Sequence, residues 1–288
     1  MTERDETIGE PSTTDMFAVS EAGRPAAPAG SPRRLVAQYL PAVAAFLVVI
    51  LLWEGLTRFL GIETFVLPKP SEVMASFIET ASVIWGAGFR TLIEALGGFV
   101  IGVGLAVLTS LAAARWVALR EGILPIAIAA NATPIVALAP IFNNWFSITS
   151  PVSKMAVVAV VVYFPVMINT TRGLLEVDPT EIELMRSIAA SPTEVTRLVR
   201  IPSALPFFFA SLKVASALSI IAAIVAEYFG GPQDVLGQYI INRANLFQFP
   251  DAWAAILVAS ILGVVFYVLV LIAEHVLMPW HVSFRSTE

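Results

Sequence analysis

The sequence predicts an all-α fold: a polytopic membrane helical bundle with six transmembrane helices and a two-helix loop on the cytoplasmic side. Three observations predict it. Of 288 residues, 57% are hydrophobic and only 14% charged, with a mean hydropathy of +0.81, whereas a water-soluble domain carries about a quarter charged residues. Six apolar runs reach the length of about 20 residues that a helix needs to cross the hydrocarbon core. Arginines gather in alternate loops, the pattern that sets orientation in a membrane.

Residues 1–34 precede the first run. They are polar and rich in Pro, Ala and Gly, without an apolar stretch that would make a cleavable leader. The segment predicts a disordered cytoplasmic tail, because it has too little apolar surface to fold. The membrane domain takes the remainder, 35–288.

The six spans are expected at about Tyr39–Leu60, Leu92–Ala114, Ile123–Phe142, Val152–Thr171, Phe207–Phe229 and Trp253–Leu277. Arg33 and Arg34 precede the first, and Arg115 and Arg120 separate the second from the third. Arg172, Arg186, Arg197 and Arg200 lie between the fourth and fifth, and Arg285 follows the sixth. The opposite loops hold Lys69, Lys154 and Arg243. Both termini are therefore expected in the cytoplasm. On the other side, VLPKPSEV (66–73) predicts a short helix from about Ser71, with Ser71 as its cap, and GGPQDVLGQYIINRANLFQFPD leaves room for another near Leu236–Arg243.

Within the spans, Gly98 and Gly102 are spaced to let a second helix approach closely, inside the bundle or between chains. Glu54 and Glu94 are either membrane-embedded functional carboxylates or interfacial groups near span ends. Lys213, about two turns into the fifth span, is placed to extend its amine to the cytoplasmic surface. Asn131, Thr133, Pro134, Pro140 and Asn169 bring polar groups and helix breaks into spans three and four. They either line a translocation pathway or hydrogen-bond between helices.

Composition also excludes. There is no cysteine and only two histidines, His275 and His281, so thiol chemistry, a disulfide framework and a histidine-rich metal centre have nothing to stand on. No catalytic residue, metal site or cofactor site is assigned. An integral-membrane enzyme or an ATPase-independent channel is the competing class, and co-purification of an ATPase separates them from a driven transporter.

The loop between spans four and five, DPTEIELMRSIAASPTEVTRLVRIPSALP (178–206), repeats one device. Asp178-Pro179-Thr180-Glu181 and Ser191-Pro192-Thr193-Glu194 each place a capping side chain, a proline at the first helical position and a glutamate at the third. Two short helices follow, about Pro179–Ala190 and Pro192–Arg200, meeting at a bend near Ser191, with Pro202 ending the second. Ile182, Met185 and Ala189 share a face of the first, and Val195, Leu198 and Val199 line the second. The pair either lies on lipid or forms a docking knob for a soluble protein.

Glu183, Ala189 six residues on, Val199 ten further and Ile201-Pro202 resemble the EAA loop of binding-protein-dependent ABC importer permeases. That loop reads E-A-A, three residues, G, nine residues, I, one residue, L-P. Leu184 and Met185 stand for the two alanines, Ala189 for the glycine and Ile201 for the leucine. VLPKPSEV, ALAPIFNNWF (137–146), VYFPVMINTTRGLLEVDP (162–179), IVAEYFG (224–230) and MPW (278–280) are similar to the nitrate/sulfonate/taurine branch of that family, in the expected order from about Leu35 to Trp280.

The resemblance implies a permease of the bacterial inner membrane that moves a small solute, organic or oxyanionic. The branch carries nitrate, taurine, sulfonates and pyrimidine-like vitamin precursors. It implies that the loop, about 178–202, is a coupling element for cytoplasmic ABC ATPase subunits, with Glu183, Met185, Ala189, Ser191, Val199 and Pro202 as the contact positions. It further implies an external substrate-binding protein and a second permease copy, normally a homodimer; nucleic acid has no place in it. ATP and Mg²⁺ belong to the ATPase, since the chain has no G-x-x-x-x-G-K-[ST] phosphate loop.

Overall fold

A computed structural model describes residues 32–278; residues 1–31 of the expected tail (1–34), His281, Arg285 and the last two residues of MPW lie outside them, and residues 32–34, expected in the tail, are helical. The described residues are helical with short connections: α1 (Pro32–Phe59), α2 (Pro70–Glu79), α3 (Ala81–Arg115), α4 (Val117–Asn131), α5 (Ile135–Phe146), α6 (Pro151–Leu175), α7 (Pro179–Ser187), α8 (Pro192–Val195), α9 (Ile201–Tyr228), α10 (Leu236–Asn245) and α11 (Phe249–Leu277). A π-helical turn, Thr196–Arg200, joins α8 to α9. The chain divides at Val49/Ile50. In the first unit, α1 from Leu40 to Val49 keeps its apolar side chains exposed.

In the second unit, α3 and α6 run parallel. Along the pair, Gly102 meets Ala159, and further on Ser110 donates to the Met167 carbonyl at 3.0 Å. A Cβ on Gly102 would sit 2.5 Å from the Ala159 carbonyl oxygen, so the glycine is required by close backbone approach. Gly98, against Met155 and Val158, acts alike: the GxxxG spacing serves packing inside the bundle. Both helices end where the α7–α8 loop sits, because Arg200 reaches the Ala114 carbonyl at 3.2 Å. We call this the loop end.

α9 returns from the loop end and α11 comes back to it, joined there by the Lys213–Glu274 ion pair at 2.8 Å. Lys213 was expected to extend towards the surface; it is instead held by a carboxylate on the neighbouring helix. The core is filled by Ile84, Val158, Val162, Val166, Met167, Ala222, Ala223, Leu236 and Val258, all nearly or fully buried.

Among the described residues, five helices are long and apolar enough to cross a bilayer. The expected third span is broken: α4 and α5 are bent by 103°. Asn131 ends α4, Pro134 caps α5, and prolines 125 and 140 interrupt each half. Prolines remove ladder donors and kink helices. Since α3 ends at the loop end and α6 starts at the other, the pair must connect the two ends, and it is the sixth crossing.

Two further boundaries differ from expectation. The second span starts earlier, because α3 runs 35 residues, about 52 Å at 1.5 Å per residue, and so projects beyond the hydrocarbon core. Pro202 does not end a helix. The chain stays helical from Pro192 to Tyr228, because the wider π turn just before Pro202 absorbs the ring that an α-helical turn would exclude.

Candidate functional site

The α7–α8 loop is the first candidate. Asp178 caps α7 by accepting from the Thr180 N–H at 2.8 Å, which holds its carboxyl below the usual aspartate range. Glu181 does not return a bond to Asp178 among the described residues, so the first capping box is half-formed. The second is complete: the Glu194 N–H donates to Ser191 Oγ at 3.3 Å, and Glu194 Oε2 accepts from the Ser191 N–H at 2.7 Å.

Between the helices, Ala189 adopts φ +53°. Its N–H donates to the Arg186 carbonyl and that of Ala190 to the Met185 carbonyl, both at 3.0 Å. This is a Schellman cap with Ala189 at the left-handed position that usually holds glycine. The resemblance placed alanine where the family carries glycine, and the backbone conformation at that position is the one glycine favours.

The faces of the loop differ from the sequence reading. Met185, expected on the contact face, is only 8% exposed. Leu184, Ile188 and Leu198 point outward at 63%, 65% and 62% exposure, with Glu183 exposed beside them and without an ion pair among the described residues. Ser191 is exposed, and Val199 and Pro202 are half-buried in the π turn and the start of α9. The loop thus carries exposed apolar side chains on α7 and in the π turn, beside exposed charged ones.

The second candidate is a cavity of about 190 Å³ beside the α4–α5 bend, lined by Ala130, Asn131, Thr133, Leu138, Val160, Val161, Phe164 and Leu218. It brings together Asn131 and Thr133, with Pro134 shaping the bend. Asn169 does not join them: its amide donates to the Pro165 carbonyl of its own helix at 2.8 Å.

A third group was only partly legible in the sequence, which singled out Glu94 but neither the burial of Lys154 nor Glu227. Lys154 and Glu227 are fully buried and Glu94 is 4% exposed, so Glu94 is inside the bundle rather than interfacial. Lys154 donates to Asn143 Oδ1 at 3.3 Å and to the Ile148 carbonyl. Glu227 accepts from the Gly237 N–H at 2.6 Å, an approach only glycine permits, since a Cβ there would lie 2.6 Å from the Ile224 carbonyl oxygen. The available signal was a lone lysine at the start of an apolar run and a lone glutamate at the end of another. Glu54 instead caps α2, accepting from the Ser71 N–H at 3.0 Å and the Ser71 hydroxyl at 2.9 Å. The α2 cap position is therefore Lys69, not Ser71.

No cluster of three or more metal-ligating side chains occurs among the described residues. Residues 98–280 match the family model described as "Binding-protein-dependent transport system inner membrane component". Among curated proteins, the formylaminopyrimidine transport permease ThiX of Halalkalibacterium halodurans is 28% identical over 84% of this chain and 96% of its own. The riboflavin transport system permease RibX of Chloroflexus aurantiacus is 30% identical over 82% and 88%. The nitrate import permease NrtB of Synechococcus elongatus is 25% identical over 66% and 71%. In fold, a chain of a crystal structure of an amino acid ABC transporter with histidines superposes with a TM-score of 0.56 at 17% identity, covering 70% of this chain and 97% of that one.

Proposed function

The chain belongs to the binding-protein-dependent transport system inner-membrane components and is a permease component of an ABC importer; on that premise we propose how it works and what it carries. The observation that carries the proposal is the exposed patch of Leu184, Ile188 and Leu198 around Glu183. Large apolar side chains flanked by charges form the core and rim of a protein interface. An ATPase subunit on the cytoplasmic side grips this patch, and its closure moves α6 and α9, which the loop joins. Both termini then face the cytoplasm, as the arginine bias requires, and α10 and α2 face the external binding protein. Two copies of the permease enclose one pathway at the face that carries the α4–α5 bend.

The solute is a small, uncharged organic molecule of the pyrimidine-like class. The cavity at the bend offers only Asn131 and Thr133 as polar side chains and no basic group, which suits amide-type hydrogen bonding better than an oxyanion. Relatives named for formylaminopyrimidine and riboflavin transport point the same way.

Glu183→Lys tests the coupling. The residue is exposed and lies outside the spans, so insertion and folding should persist. Charge reversal at a docking surface costs several kcal/mol, so uptake should be lost. Normal uptake with the ATPase still bound removes Glu183 from the coupling surface. For the solute, uptake competition between an aminopyrimidine and nitrate or an alkanesulfonate decides; competition only by the anions overturns the uncharged class.

A further inference from the structure

We propose that Arg200 is a positioning residue of the transport cycle, the latch that fastens the α7–α8 loop to the end of α3 and so links α10 to the loop through that helix. The inference rests on the permease reading.

Two helices connect α10 to the loop end. At the start of α10 the Leu236 N–H donates to Thr91 Oγ1 on α3 at 3.0 Å, and the Gly237 N–H donates to Glu227 Oε2 on α9 at 2.6 Å. From Pro192 to Tyr228 the chain is continuously helical, so α9 carries on into the loop by its own backbone. α3 has no such continuity. From Thr91 it runs about 34 Å to Ala114, at 1.5 Å per residue, and ends at Arg115. There Arg200 Nη1 donates to the Ala114 carbonyl at 3.2 Å, across 86 residues of sequence. The last carbonyls of a helix lack an intrahelical donor and carry its partial negative charge, so a guanidinium suits the position on both counts. Arg115 and Arg197 are the neighbouring basic residues at the loop end. Both are exposed, and their side chains make no hydrogen bond or ion pair among the described residues.

The backbone around Arg200 is shaped to aim it. Pro202 has no N–H to give to the Leu198 carbonyl, and a wider turn takes the place of the α-helical one. The Ile201 N–H donates to the Thr196 carbonyl five residues back, and Ser203 Oγ donates to the Val199 carbonyl at 2.8 Å. Such π turns inside α-helices are frequent at functional sites, and Arg200 is the last residue of this one. One turn further on, α9 is pressed against α6: a Cβ on Gly173 would sit 2.9 Å from the Ala204 Cα. On the side of α3, by contrast, lies an apolar cavity of about 160 Å³, with Leu111, Thr170, Ile201 and Leu205 among its walls. Thr170 Oγ1 is buried there without a hydrogen-bond partner among the described residues. At this level side-chain packing therefore joins α9 to α6 but not to α3, and the Arg200 hydrogen bond carries the connection to α3. A displacement of α10 reaches the loop along both helices while Arg200 holds, and along α9 alone when it does not. A cap that merely stabilised the end of α3 would leave that transmission unchanged.

The chain has no cysteine, so spin labels can be placed cleanly at Leu108 on α3, 66% exposed, and at Thr193, exposed on α8. In lipid nanodiscs the parent distance distribution should be narrow. Arg200→Met, which removes the donor, should broaden it. Arg200→Gln, polar but too short to reach the carbonyl, should broaden it as well and guards against a methionine variant that does not fold. Arg200→Lys, which keeps a cationic donor on a long stem, should stay close to the parent, and Arg197→Met should leave the distribution unchanged. In the assembled transporter, the ratio of binding-protein-stimulated to basal ATP hydrolysis should fall roughly 5-fold or more in the methionine and glutamine variants, with the ATPase still co-purifying. It should hold in Arg200→Lys and Arg197→Met. A narrow distribution or an unchanged ratio in a folded Arg200→Met or Arg200→Gln protein overturns the proposal. So does an equal effect of Arg197→Met, a lysine variant no better than the methionine one, or loss of the ATPase itself. If the parent protein shows no stimulation, the permease reading fails, and the label distances still decide the latch.

Discussion

Replacing Ala189 by glycine tests the loop geometry directly. Ala189 occupies the left-handed region at φ +53°, where a Cβ costs about 1–2 kcal/mol. Glycine removes that cost but loosens the unfolded chain by about 0.4–1 kcal/mol. The net is a gain of about 0.5–1 kcal/mol in closing the cap, or roughly two- to five-fold in its opening equilibrium. The amides that report it are Ala189 and Ala190, bonded to the Arg186 and Met185 carbonyls, and hydrogen exchange in nanodiscs reads their protection. Ala189→Gly should slow their exchange by that factor, and Ala189→Val should speed it, since a β-branched residue is a poor occupant of this region. Ala190, which is not at positive φ, is the control: Ala190→Gly carries only the unfolded-state cost and should speed exchange. If the two glycine variants shift protection in the same direction, the left-handed cap is refuted.

Other expectations follow from individual contacts. Ser191→Ala, which deletes the acceptor for the Glu194 N–H, should cost about 1 kcal/mol of local helix stability, read as faster exchange of the Glu194 amide. Asp178 has its carboxyl held below the usual range; its cap is therefore fully present above the ordinary aspartate pKa and is lost as pH falls through the lowered one. Thr180 amide protection, corrected for intrinsic exchange, should drop on acidification in the parent and show no such step in Asp178→Asn. Gly102→Ala, with its Cβ against the Ala159 carbonyl, should lower thermal stability in detergent by an amount equivalent to about 1–3 kcal/mol; an unchanged melting temperature would mean α3 and α6 are farther apart. A cysteine at Thr133 should react with a water-soluble thiol reagent or crosslink to a second copy; reaction only with a membrane-partitioning reagent would count against a pathway there.

Much of the fold was legible because membrane insertion writes itself into composition. Runs such as Trp253–Leu277 and Val152–Thr171 left no alternative to helices, and the paired D-P-T-E and S-P-T-E starts located α7 and α8 because caps act within four residues. What was not legible depended on contacts distant in sequence. Pro202 read as a stop, and only the π turn before it shows how a helix carries on through proline. Met185 read as a contact residue, because the periodicity of a nine-residue helix does not tell which face meets the bundle. Lys154 counted as a loop cation because its full burial depends on helices distant in sequence. The family resemblance supplied the role of the loop, which no local rule would have given.

The bend between α4 and α5 bears on how the chain assembles. The helices have 15 and 12 residues, about 22 and 18 Å long. With a 103° bend they span only about 25 Å end to end, less than the roughly 30 Å hydrocarbon core. The break also frees backbone groups at membrane depth, and irregular backbone is tolerated there only where protein or a water-filled cavity covers it. Yet residues 131–134 are all exposed in the single chain, as are Ile126, Ile128 and Val136 at 68%, 60% and 53%. Lipid cannot satisfy freed peptide groups, so this face has to meet water or another polypeptide. A pathway enclosed between two permease copies supplies both: the partner covers the apolar side chains, and the aqueous route solvates Asn131, Thr133 and the open turn. The same break that shortens the crossing is thus the face that the proposed second copy would cover.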